Sequence, residues 1–189
     1  IVHPKLPQAK PYPNPHLCGA GVAFKLAWAV GKAVTGRARV SEDIRAFLLE
    51  ALAMAALGTI ADVVPLVGEN RVLARFGLGS VKQTAMTGLR ALIDSANLTG
   101  EKIDSYHVGF LLAPRLNAAG RMGHAALAVE LLTHADASRA AEIATYLESQ
   151  NRARQQTERQ ILAEALAQAR DLKLDGDDQA ALVLGAAGW

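Results

Sequence analysis

The sequence predicts a mostly α-helical chain with a strand at either end. Apolar residues recur at helical spacing through successive segments, and residues 136 to 171 contain neither proline nor glycine. Only Ile1-Val2 and the QAALVL run from Gln179 to Leu184 have the continuous apolar character of buried strand. With 189 residues, 51% of them hydrophobic and 20% charged, the chain can bury a core of one domain or slightly more and is too apolar for intrinsic disorder.

Several classes are excluded at this level. Lys25, Lys32, Glu50 and Asp62 interrupt the most hydrophobic stretches, so no run of eighteen uncharged apolar residues spans a membrane. The single cysteine, Cys18, cannot form an internal disulfide, and Ile1-Val2-His3-Pro4 lacks the basic-then-apolar pattern of a secretion signal. The expected setting is a reducing cytoplasm, without membrane partners. A net charge of +2 selects no partner. Both ends read as cut, as expected of a fragment of a longer protein.

Five prolines between His3 and Pro15 (Pro4, Pro7, Pro11, Pro13, Pro15) predict an extended, irregular connector, because each fixes φ and removes a donor. A helix follows over Gly19 to Val34, with Phe24, Ala27 and Trp28 on one face and a stop at Thr35-Gly36. Ser41 is placed to cap the next, with Glu42 and Asp43 against the positive end of its dipole. From Ile44 to Leu57 that helix is apolar nearly all round, which predicts a position inside the core and an end at Gly58.

Amphipathic helices are predicted over Glu69 to Lys82 and Thr87 to Ala96. Asp104 or Ser105 is placed to cap another that runs to Ala113, where Pro114 disfavours continuation. Gly123 to His134 has the same character. The last long element, Asp136 to Asp171, carries apolar positions at its ends, while Glu148 to Gln160 has none, the pattern of a helix crossing solvent between two domains. A polar linker, Lys173 to Asp178, leads into the final strand.

Chemistry concentrates in two segments. In Ala56-Leu-Gly-Thr-Ile-Ala-Asp-Val-Val-Pro-Leu66 a carboxylate, Asp62, stands between apolar neighbours, where burial without a partner would be costly. An N-cap or arginine pair is one resolution and a divalent cation the other. In Ala113-Pro-Arg-Leu-Asn-Ala-Ala-Gly-Arg-Met-Gly-His124, small residues bring the backbone close to whatever approaches. Arg115, Arg121 and Asn117 supply donors suited to an oxyanion, with His124 beside them. A helix connection whose arginines neutralise carboxylates fits the same residues. Leu17-Cys-Gly-Ala-Gly21 is a glycine-containing helix start better suited to tight helix packing than to phosphate, and Cys18 reads as a packed thiol. His3, His16, His107, His124 and His134 show no metal-ligand spacing.

The strings LCGAGVAFKL, ALGTIADVVPLVGENRVL, GLRAL and APRLNAAGRMGHAALAVELL, in this order and spacing, resemble the central region of the RecJ family of single-strand-specific exonucleases, within the DHH phosphoesterase superfamily. NRARQQTERQI resembles that family's connecting helix, and ALVLGAAGW the first strand of its DHH-associated domain.

The resemblance implies an α/β parent fold divided here into the C-terminal part of a DHH catalytic domain (1–135), an interdomain helix (136–172) and the start of the associated domain (173–189). It implies a manganese- or magnesium-dependent enzyme removing nucleotides from single-stranded DNA in the 5′ to 3′ direction, in DNA repair and recombination. A helicase or a single-strand-binding protein would be its partners. Asp62 would be a metal ligand and catalytic residue. Arg121 would act at the scissile phosphate, with Arg115, Asn117 and His124 binding phosphate. The upstream aspartates and the Asp-His-His triplet of the superfamily are absent, so the chain alone is expected to be inactive and to hold manganese weakly. Two other readings remain open: a phosphodiesterase acting on cyclic dinucleotides or short RNAs, and a catalytically inactive scaffold.

Overall fold

A computed structural model describes residues 3–6, 11–36, 39–121, 125–174 and 181–189, with the side chains of Ala119 and Arg121 outside that description. The described elements are helical: α1 (Gly19–Thr35), α2 (Glu42–Ala61), α3 (Gly68–Lys82), α4 (Thr87–Ser95), a π-helical segment (His107–Leu112) continuing into α5 (Ala113–Arg121), α6 (Ala125–Thr133) and α7 (Ala137–Asp171). No strand occurs among the described residues. Residues 181–184 run irregularly, since no described segment offers a strand edge to pair with; Ile1-Val2 and most of the polar linker lie outside the described residues.

Capping matches the expected chemistry. Ser41 Oγ accepts from the Ile44 amide, Asp136 caps α7 through the Arg139 amide, and Gly36 closes α1 in the left-handed conformation at φ 61°. Cys18 itself caps α1: its Sγ accepts from the Gly21 amide and lies 3.4 Å from Thr59 Oγ1, so the thiol is packed as expected.

Small residues let the first three helices approach closely. A Cβ on Gly58 would meet Ala20 Cβ at 2.5 Å, and one on Gly77 would meet Ala56 Cβ at 2.4 Å and the Leu52 carbonyl at 2.5 Å. Gly58 is therefore a crossing point inside α2, not its end, and the helix runs on to Ala61. Burial of α2 is also uneven. Its second half (Ala53, Ala55 to Leu57, Thr59, Ile60) is buried, whereas Phe47 and Leu49 are exposed. By length and composition alone α2 would pass for a membrane span, but its second half packs against α1 and α3.

The core gathers Leu57 and Ile60 of α2, Ala74 and Val81 of α3, Leu89 and Leu92 of α4, Val108 and Leu112 of the π segment, Leu131 of α6, and Ile143 and Leu147 of α7. Pro114 does not end the helix that Asp104 caps. The wider π turns before it shift the hydrogen-bond register, with the Ala113 amide donating to the Val108 carbonyl, and the chain stays helical through the proline to Arg121.

Candidate functional site

The end of α2 sets the geometry around Asp62. The Asp62 amide donates to the Gly58 carbonyl, the Val63 amide donates to the Ile60 carbonyl, and Val63 turns the chain at φ 53°. A β-branched residue in the left-handed region costs on the order of 1–2 kcal/mol, and such strain concentrates at functional sites. Asp62 is exposed and makes no ion pair with a described residue, and the apolar neighbours Val63, Leu66 and Val67 are exposed too. Within this chain the carboxylate is not buried as expected: these apolar residues form an exposed turn outside the core that the described residues build. A different electrostatic feature replaces burial. The carboxylate stands at the C-terminal end of a 20-residue helix, the negative end of its dipole, where a cation is attracted.

The turn is held from behind by Asn70, which is fully buried. Its Oδ1 accepts from Asn14 Nδ2 at 2.9 Å, and its Nδ2 donates to the carbonyls of His16 (2.9 Å) and Pro65 (3.1 Å). One amide thus ties the proline-rich connector and the Asp62 turn to the start of α3. Nearby, Lys25 of α1 bonds Glu69 of α3, and that hydrogen bond holds the lysine above its ordinary pKa.

The second segment is helix where a loop connection was expected. On α5, Asn117 and Gly120 are exposed and Ala118 is buried. Position 121 lies one turn beyond Asn117 and shares its side of the helix by register. The Arg121 side chain and the whole of His124 lie outside the described residues. Arg115 points the other way. It is 8% exposed, its Nη1 donates to the Leu111 carbonyl, and its Nη2 lies 2.7 Å from Glu148 Oε2 on α7. Of the two uses the sequence allowed for this arginine, neutralising a carboxylate is the one its side chain adopts here.

Before α5, Tyr106 and Phe110 are exposed and stacked with ring centroids 4.9 Å apart. Asp104 caps that helix through the His107 amide, and the bonds from His107 hold its carboxyl below the usual range. Asn70 and Glu148 were not singled out from the sequence. Both stand in polar runs, and an apolar-period search passes over a polar residue that is buried.

Among the described residues no group of three or more His, Cys, Asp or Glu side chains is placed to hold a metal ion. No family model matches the chain. The chain is 40% identical over its full length to the single-stranded-DNA-specific exonuclease RecJ of Bacillus subtilis, spanning 22% of that protein. It is 36% identical to the Escherichia coli RecJ, with 88% of the chain and 29% of that protein covered. In structure it resembles exonuclease RecJ bound to manganese, with TM-score 0.71 and 39% identity, over 88% of this chain and 40% of that one. RecJ from Thermus thermophilus in complex with Mg2+ matches with TM-score 0.68 and 38% identity, over 88% of this chain and 24% of that one. The chain therefore spans between a fifth and a third of the length of these curated relatives.

The helical array corresponds to part of the fold of the solved RecJ structures. In both sequence and structure the chain is similar to one segment of RecJ proteins.

Proposed function

We propose that this chain is the segment of a metal-dependent 5′ to 3′ single-stranded-DNA exonuclease that contributes one metal-ligand position and part of the DNA-backbone grip. The observation that carries the reading is the Asp62–Val63 turn, where an exposed carboxylate with no ion pair among the described residues, at the negative end of α2, is followed by a strained, left-handed valine. The negative end of the helix dipole favours a cation there.

Taken alone, the described residues do not fit a two-metal centre, because one carboxylate leaves most positions around hard cations unfilled. The reading gives Asp62 one ligand position in a site completed elsewhere in a longer protein, with manganese or magnesium as the ion. On α5, Arg121 donates to the phosphate at the cleaved bond and Asn117 to a neighbouring backbone oxygen, and His124 is a further phosphate-binding residue. The connecting helix α7 holds the separation between this part and the next. A cytoplasmic enzyme of DNA repair and recombination, acting with a helicase or a single-strand-binding protein, is the context that fits.

The test uses the complete protein. Long single-stranded DNA should be degraded in preference to dinucleotides, and equal rates on the two would favour a short-substrate phosphodiesterase. Asp62→Ala should abolish metal-dependent hydrolysis, and a variant retaining activity within about tenfold, roughly 1.4 kcal/mol in the barrier, would remove Asp62 from the metal site. Arg121→Ala should lower kcat/KM on DNA by about tenfold or more, and an unchanged value would return Arg121 to a structural role.

A further inference from the structure

The polar middle of α7 does not begin as a solvent bridge. Glu148 is mostly buried, with Oε2 against Arg115 Nη2 of α5 at 2.7 Å and Oε1 accepting from Arg152 Nε one turn along. Asn151, next on that side, is 2% exposed, and its Oδ1 accepts from Arg154 at 3.1 Å. Arg115 Nη1 donates to the Leu111 carbonyl, while Arg115 Nε and Glu148 Oε2 are buried without a hydrogen-bond partner, so the contact between the two side chains is ionic. Asn117 and Gly120 are exposed on the same helix.

We propose that Arg115 and Glu148 are positioning residues whose buried ion pair fastens α5 to α7, so that the DNA-facing side of α5 and the connecting helix move as one body. This rests on the nuclease reading and reassigns Arg115, which then makes no contact with the nucleic acid. A phosphate reaching that guanidinium would have to displace Glu148 and leave a carboxylate buried and uncompensated, an expensive exchange. A guanidinium also suits the task better than an ammonium, because its planar fork serves a carbonyl and a carboxylate at once.

The experiment compares the complete wild-type protein with the double variant Arg115→Met/Glu148→Met, in which an apolar pair of similar length replaces the ions. The double variant should melt near the wild-type temperature and keep the wild-type slope of log affinity for single-stranded DNA against log salt. Its kcat should fall by about tenfold or more with KM within about threefold. A slope shallower by about 0.7, the loss of one phosphate contact on a single strand, would overturn the proposal by making Arg115 a DNA ligand. So would a kcat within about twofold of wild type, which would leave the pair merely structural.

Should the double variant not fold, the isosteric Glu148→Gln is read by the same slope and the same split of kcat from KM. In the unmodified protein, amide exchange should open α5 and the first half of α7 together, and α5 opening alone would overturn the proposal. Failure of the wild-type protein to hydrolyse single-stranded DNA at all would instead overturn the underlying reading.

Discussion

Asn70, which bonds the Pro65 carbonyl, and Asp62, three residues before that proline, illustrate two fates of a polar residue among apolar neighbours. Asn70 is fully buried with three hydrogen bonds, so Asn70→Ala should destabilise the protein by about 2–4 kcal/mol, read as a shift in urea midpoint at unchanged slope. A loss below about 1 kcal/mol would mean that the connector and the Asp62 turn are held some other way. Asp62, exposed and without an ion pair among the described residues, should behave oppositely: Asp62→Ala should leave the melting temperature nearly unchanged while removing activity. The sequence marked Asp62 for its surroundings, yet the inference from those surroundings was inverted. A run of valines and leucines reads the same whether it lines a core or an exposed turn.

Among the elements, helix boundaries were legible wherever a local rule acts. Ser41, Asp136 and Gly36 cap as their chemistry dictates, and α3, α4 and α7 fall within a residue or two of their expected spans. The misreadings occurred where a distant contact overrides the local rule. Gly58 does not stop α2 because Ala20 of α1 needs the space, and Pro114 does not stop its helix because π turns absorb the missing amide. Two glycines of α3 separate these effects. Gly77→Ala drives a methyl into the Leu52 carbonyl and should cost about 1–3 kcal/mol, whereas Gly79→Ala meets nothing within 4 Å and should stabilise by about 0.5–1 kcal/mol. Thermal melts of the two variants should therefore move in opposite directions.

For the whole molecule, a single carboxylate at the candidate metal position and no cluster of ligands among the described residues make a definite expectation. Titrating the 189-residue chain with manganese should show weak binding, and tight stoichiometric binding by calorimetry would mean that a complete centre exists within it. The sequence by itself determined the helical character, most caps and spans, and the likeness to RecJ, because periodicity, capping and motif spacing act over a few residues. Tertiary structure alone decided which polar groups are withdrawn from water. Arg115 faces Glu148, Asn70 reaches Asn14 across 56 residues, and Asp62 is left in the open. Burial of a polar side chain depends on a partner brought from far along the chain, and no local pattern encodes that partner.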